Sequence, residues 1–280
     1  MLKLKSVEEC FYPKTLDEAL TLLKEKGNEA MLVGGGLHIT VFPNSKIKSL
    51  IFLNKVGLDY IRETESTVVI GATTNISEAK ENRIIKSLFS RELSRVLSTI
   101  ASELLRNQIT FGGSIAQREP YSDIATLLLA LDATLVLFDG SSKTMKLSEF
   151  YEQDFRSILK NSIIQEIIFE KGKANEKFKM ERFTRNATDI ALFNMAAKGE
   201  IENGSIKNIY ISYGSRPMAA VRFKELEEFL KNKSLDETIT SAPTFAKEKA
   251  SIAGDVRISE VYRRELTYTF TKRILESFRG

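Results

Sequence analysis

The chain has 280 residues, 42% of them hydrophobic and 28% charged, and its 41 Lys and Arg against 37 Asp and Glu leave a formal net charge of +4. That length suits one large or two smaller globular domains, and the small, evenly mixed excess of positive charge contains no basic block of the kind that reads a phosphate backbone, so nucleic acid is not the expected partner. One cysteine, Cys10, and one histidine, His38, exclude a structural zinc site or an iron–sulfur cluster built by this chain alone, because each takes about four such ligands.

An internal disulfide is excluded as well, in keeping with a reducing compartment. The most apolar run, residues 124–138, is shorter than the ~20 residues that span a bilayer and contains Asp132. The N-terminus carries lysines but no apolar core of a signal peptide. No membrane insertion is expected, and the expected location is cytoplasmic.

Residues 15–26 read as a helix: Leu16, Ala19, Leu20 and Leu23 recur at helical spacing and Gly27 stops it. Residues 30–33 form a short strand running into glycines, and 50–53 and 67–70 are further strands. Over 84–105 the periodicity predicts one long amphipathic helix, with Ile85, Leu88, Phe89, Leu93, Val96, Leu97, Ile100 and Leu104 on one face. A helix over 122–131, a strand over 133–138 closed by Asp139-Gly140, and a strand over 163–169 follow. Lysines and glutamates over 171–179 read as a surface linker. Beyond it, 178–185, 191–200 and 206–213 read as strands, and 221–231, 242–253 and 259–277 as helices. The layout is α+β. It divides into a first domain over 1–172, with subdomains of about 1–54 and 55–172, and a second over 173–280.

Two glycine-rich loops stand out. L-V-G-G-G-L-H-I at 32–39 follows a strand, and T-F-G-G-S at 110–114 lies between two helices. Glycine removes Cβ and admits positive φ, so successive amides can point into one concavity that suits an anion such as a diphosphate. A Gly-Gly pair is also simply a turn. Neither loop fits G-x-x-x-x-G-K-[ST] or G-x-G-x-x-G within a βαβ unit, which excludes a P-loop nucleotidase and a Rossmann dinucleotide site.

Four segments in this order resemble the FAD-binding medium subunit of the xanthine dehydrogenase and CO dehydrogenase family of molybdenum hydroxylases. They are L-V-G-G-G at 32–36, I-G-A-T-T at 70–74 with Glu78, R-N-Q-I-T-F-G-G-S at 106–114 with Pro120, Asp123 and L-L-A-L-D-A at 128–133, and D-V-R-I-S-E-V-Y-R-R-E-L at 255–266. The resemblance implies a vanillyl-alcohol-oxidase/PCMH-type FAD-binding domain made of two α/β subdomains. A small α+β C-terminal domain of the CO dehydrogenase flavoprotein type would follow it. It implies that Leu32, Val33, Gly34, Gly35, Gly36, Leu37, His38 and Ile39, with Thr110, Gly112, Gly113 and Ser114, wrap the FAD diphosphate. Asp123 would accept from a ribose or adenine group, Ile100 and Ile164 would pack near the flavin, and Arg182 or Arg185 would approach the cofactor. No residue is assigned a catalytic or metal-ligating role.

Plainer readings stand beside these. Asp123 also reads as a helix N-cap, Ile100 and Ile164 as core, and Tyr262, Arg263 and Arg264 as helix packing and surface charge. The sequence departs from the family where Gly36 and Leu37 replace a hydroxyl residue and Asp or Asn, where Ser114 replaces Asn, and where Ile258 replaces Gly. By resemblance, a large molybdopterin subunit oxidises a substrate and a small subunit carries 2Fe-2S clusters. This chain's FAD would pass the electrons to an acceptor such as NAD. Two alternatives remain: a stand-alone flavin reductase of the same fold, and a scaffold subunit that has lost FAD.

Overall fold

The structure, a computed structural model, describes residues 6–215 and 218–279. The chain forms two compact units, each assembled from separate stretches of sequence. The first takes the described residues up to Ile84, then Ser102–Gln117 and Thr134–Phe169; the second takes Ile85–Ala101, Arg118–Ala133 and the chain from Glu170 on. Among the described residues no helix is long and apolar enough to cross a membrane.

In the first unit, β1 (Glu9–Phe11), β2 (Ala30–Val33) and β3 (Ser49–Phe52) make a parallel sheet in the order β1-β3-β2. Helix Leu16–Lys26 covers it with Ala19, Leu20 and Leu23. Thr15 caps that helix by accepting from the Glu18 N–H at 3.2 Å, which satisfies one amide that a helix start leaves open, and Glu18 reaches back to the Lys14 N–H just before the cap at 2.8 Å. A second sheet contains β4 (Ile61–Glu63), β5 (Thr67–Gly71), β6 (Thr134–Phe138), β7 (Ser142–Lys146) and β8 (Ile163–Glu170), in the order β4-β5-β8-β6-β7. Its outer strands, I-R-E and S-K-T-M-K, are polar and mostly exposed. Charged edges discourage further pairing, and they also lack the apolar alternation by which a strand shows in a sequence.

The second unit is built on an antiparallel sheet of β9 (Glu176–Phe183), β10 (Phe193–Glu202), β11 (Ser205–Ser215) and β12 (Met218–Arg222), in the order β12-β11-β10-β9. Residues 193–199 of β10 are buried without alternation. Helices Asp123–Ala130 and Glu260–Ser277 both pack on this strand, so neither of its faces meets water. Phe193, Ile206, Ile211, Leu226, Ala242 and Phe270 are central in the core it shares with the C-terminal helices. Helix Asp123–Ala130 ends in a Schellman turn: Asp132 takes φ +52°, its N–H reaches Leu129 O, and the Ala133 N–H reaches Leu128 O.

Four expectations are corrected. The single helix over 84–105 is instead Arg83–Ser87, a left-handed turn at Phe89, Ser90 and Arg91 (φ 46°, 53° and 69°), Glu92–Thr99, a kink at Ala101 (φ 50°), and Glu103–Arg106. Residues 85–101 belong to the second unit, while the residues up to Ile84 and from Ser102 belong to the first. Leu104, assigned to the apolar face, is 79% exposed. The start of the helix expected over 221–231 is the end of β12, and the helix itself is Lys224–Leu230. The helix expected over 242–253 is Leu235–Lys249, with Pro243 inside it and a polar first turn that hid its start. The linker over 171–179 already contains the first residues of β9, whose lysines and glutamates alternate with Phe178 and Met180.

Candidate functional site

The first glycine loop leaves β2 and enters helix Leu37–Val41 through Gly36, which sits in the left-handed region at φ +82°. Val33 and Ile39 turn their side chains into a small core with Ile47 and Leu50, and Leu32 packs on the other side of the sheet. The loop therefore offers its surroundings backbone, not side chain. His38 lies beside Phe42, with ring centroids 5.2 Å apart.

The second loop is brought against the first. A Cβ placed on Gly35 would stand 1.7 Å from the Gln108 carbonyl oxygen, and one on Gly34 would stand 2.7 Å from Thr110 Oγ1. Thr110 Oγ1 also accepts from the Gly113 N–H at 3.2 Å, so this one hydroxyl sits between both glycine runs. The I-G-A-T-T segment supports the second run from below. Thr74 O accepts from the Phe111 N–H at 3.1 Å, Ala72 O from the Gly112 N–H at 2.8 Å, and Ile109 O from the Ile76 N–H at 3.0 Å.

These bonds refine the expectation of two amide nests. The second run is the opening turn of helix Phe111–Gln117, and its Phe111, Gly112, Gly113 and Ser114 amides already have acceptors within the protein. The Ser114 hydroxyl donates to Thr110 O at 2.9 Å. The first loop instead turns through Gly36 into the short helix Leu37–Val41. Ile164, on β8 opposite Leu137, is buried in the chain itself.

Three further expected residues lie in the second unit. Ile100 ends helix Glu92–Thr99 and is buried. Asp123 is not an N-cap: Ser122 caps that helix by accepting from the Ala125 N–H at 3.2 Å. Asp123 instead lies 5% exposed, with Arg182 Nη2 3.0 Å from Oδ2 and Asn194 Nδ2 donating to Oδ1 at 2.8 Å. Burial pushes its carboxyl above the ordinary carboxylate range, opposed by the charge of Arg182 and by the bonds from Asn194 and Arg182. Arg182 also donates to the carbonyls of Thr99 and Asp189, so its guanidinium clamps three backbone segments together. Arg185 is engaged elsewhere, by Asp189 at 2.7 Å.

Sequence reasoning missed the polar residues behind Asp123. Asn194, Thr126 and Ser212 are buried and linked, and each stands alone among apolar neighbours, in L-F-N-M-A, I-A-T-L-L and Y-I-S-Y. A single polar residue in such a run is the signal that could have found them. The C-terminal motif proves to be structural. Arg263 is 0% exposed and not a surface charge; it donates to the carbonyls of Leu192 and Ala253 and to Asp255 Oδ2 at 2.8 Å.

Two glycine loops packed backbone to backbone on an α+β frame are the feature that this unit offers a ligand, and they accord with the family that the chain matches. Residues 5–169 match the family described as the FAD binding domain in molybdopterin dehydrogenase, and residues 178–278 match the CO dehydrogenase flavoprotein C-terminal domain. The chain belongs to this family of FAD-binding subunits of the molybdenum hydroxylases. It is similar to the glyceraldehyde dehydrogenase medium chain of Sulfolobus acidocaldarius, at 27% identity over 93% of this chain and 94% of that one. It is also similar to the nicotinate dehydrogenase FAD-subunit of Eubacterium barkeri, at 26% identity over 95% and 94%. Among solved structures it superposes on the carbon monoxide dehydrogenase from Hydrogenophaga pseudoflava which lacks the Mo-pyranopterin moiety of its cofactor. The TM-score is 0.89, with 26% identity over 98% of this chain and 97% of that one.

FAD is the cofactor of this family, and any side chain on Gly34 or Gly35 would strike the second loop. The protein is an FAD-dependent oxidoreductase subunit of the molybdenum hydroxylase type.

Proposed function

We infer that this chain is the electron-relay subunit of its complex. It takes electrons from 2Fe-2S clusters on a small partner subunit, which a large molybdopterin subunit reduces, and hands them to an acceptor such as NAD. FAD supplies the chemistry, exchanging electrons with a cluster on one side and the acceptor on the other. The observation that carries the reading is the close packing of the glycine loop at Gly34 and Gly35 against Gln108 and Thr110, in a stretch of chain whose one cysteine and one histidine cannot themselves ligate a cluster. The "medium chain" and "FAD-subunit" names of its relatives support a multi-subunit enzyme.

In this reading the backbone of Leu32, Val33, Gly34, Gly35, Gly36, Leu37, His38 and Ile39 carries the diphosphate, and Thr110, Gly112, Gly113 and Ser114 hold that loop in shape. Asp123 accepts from the adenosine half of FAD, with Arg182 keeping its charge paired. Ile100 and Ile164 exclude water near the flavin. A cytoplasmic location agrees with the single exposed cysteine.

The test is the visible spectrum of the purified chain, alone and after coexpression with its partner subunits. Flavin peaks near ~370 and ~450 nm that survive desalting, and that bleach when the complex is given its reducing substrate, are expected. A folded chain without flavin, alone and in the complex, would sink the relay and leave a scaffold. A chain that oxidises NADH with a soluble acceptor unaided would instead mark a stand-alone reductase.

A further inference from the structure

We propose that Asn194, backed by Thr126, is a positioning residue that aims the Asp123 carboxylate, and so sets the affinity for FAD without touching it. This rests on the reading of Asp123 as a contact to the adenosine half of the cofactor.

The geometry leaves Asn194 little other work. It is 0% exposed on β10, between Phe193 and Met195. Its Nδ2 is 2.8 Å from Asp123 Oδ1, and its Oδ1 is 2.8 Å from Thr126 Oγ1. A carboxylate can only accept, so the Nδ2 must face it; the amide oxygen then faces Thr126, whose hydroxyl must donate. That proton could otherwise go to Ser122 O, but this contact is longer, at 3.2 Å. Thr126 is held in turn, since its carbonyl accepts from Ser212 Oγ at 2.6 Å. The chain of side-chain donors runs one way, from Thr126 through Asn194 to Asp123, and it fixes the rotation of each of these groups, while Ser212 holds the Thr126 backbone.

The space for this relay is built in. A Cβ on Gly214 would lie 2.6 Å from Asn194 Oδ1, 2.8 Å from Thr126 Oγ1 and 3.1 Å from Pro120 O. From the other side Arg182 holds Oδ2 at 3.0 Å. One donor on each oxygen fixes the carboxylate plane and leaves each oxygen a further lone pair for a ligand hydroxyl or amino group. A buried polar network of this kind stabilises a fold no better than apolar residues of the same shape would, so its use lies in orientation.

The charged group that faces Asp123 is Arg182 of β9; β10 presents Asn194, and the neighbouring turn of its own helix presents Thr126. Removing the Asn194 donor therefore raises the pH at which Asp123 takes up a proton and stops accepting.

The experiment is a titration of the full apo chain with FAD, followed by flavin fluorescence over a range of pH. Wild type is compared with Asn194→Leu, Asp123→Asn and the double variant. Asn194→Leu is expected to weaken FAD roughly tenfold, as loss of one hydrogen bond to a charged group does. It should also move the acid limit of binding to higher pH. The double variant is expected to bind no worse than Asp123→Asn alone, because Asn194 acts through Asp123. Wild-type binding by Asn194→Leu beside weakened Asp123→Asn overturns the proposal, and so does full additivity in the double variant. Wild-type binding by Asp123→Asn overturns the underlying reading of Asp123 instead. If Asn194→Leu shows no cooperative melt, Thr126→Val decides: a weaker loss with the same pH displacement supports the relay, and unchanged binding and pH dependence refute it.

Discussion

At Gly35 an added methyl would stand 1.7 Å from the Gln108 carbonyl oxygen. No carbon atom approaches backbone oxygen that closely, so Gly35→Ala must push the two glycine loops apart. It is expected to destabilise by about 1–3 kcal/mol, as overpacking does, and to release FAD on desalting; thermal melts and the flavin absorbance of the desalted chain measure the two effects. Arg263 gives a second residue-level prediction. Its guanidinium satisfies two carbonyls and Asp255 with no access to water. Arg263→Leu keeps the bulk but leaves those acceptors short, so a loss of roughly 3 kcal/mol is expected in chemical denaturation. The flavin spectrum of the protein that remains folded should not change, since Arg263 bonds only to backbone carbonyls and to Asp255 among the contacts described, none of them assigned to the cofactor.

Among the elements, the interrupted stretch from Arg83 to Arg106 is the most instructive. Three consecutive non-glycine residues in the left-handed region each cost about 1–2 kcal/mol relative to a helical conformation. Ser90 is exposed and carries φ +53°. Ser90→Gly should therefore raise stability by about 0.5–1 kcal/mol in urea denaturation, and an unchanged midpoint would show that the turn is not strained there. The last piece, Glu103–Arg106, is tied to helix Ile76–Glu81: Glu103 accepts from Ser77 at 2.6 Å and Arg106 at 2.8 Å and pairs with Lys80 at 3.3 Å. The Ser77 bond first, and then Arg106 and Lys80, hold its carboxyl down at about 2 against an ordinary 4.5. A depressed carboxyl stabilises above its unfolded value and loses that stabilisation as pH falls. The gap in melting temperature between wild type and Glu103→Gln should therefore be present at pH 6, shrink below 4.5 and vanish near 2. The same element carries Leu104 into solvent.

For the whole molecule, FAD binding is linked to folding. A ligand that binds only the folded chain stabilises it by about 2.7 kcal/mol at a hundredfold excess over its dissociation constant. For a chain of this size that corresponds to a rise of roughly 5–10 °C in melting temperature. Asp123→Asn should lose most of the rise, because its FAD affinity falls while the glycine loops are intact.

Two textures, a glycine-bearing α+β half and a strand-then-helix half, were legible along the chain because hydrophobic period and glycine placement are local properties. The same is true of the helix over 15–26, the strand over 30–33, and the four motifs that point to FAD. A single cysteine and a single histidine already showed that these 280 residues cannot ligate an iron–sulfur cluster by themselves. Tertiary structure alone decided which distant segments share a unit, since residues 85–101 and 118–133 fold with the C-terminal sheet and no local pattern records that. It also decided that the second glycine run spends its amides on residues 72–74 and Thr110, and that Asp123 is a buried, doubly held carboxylate and not a cap. Asn194 is 71 residues from the carboxylate it holds. Hydrogen bonds and close approaches of that kind are set by where the folded backbone returns, and periodicity along the chain carries no trace of them.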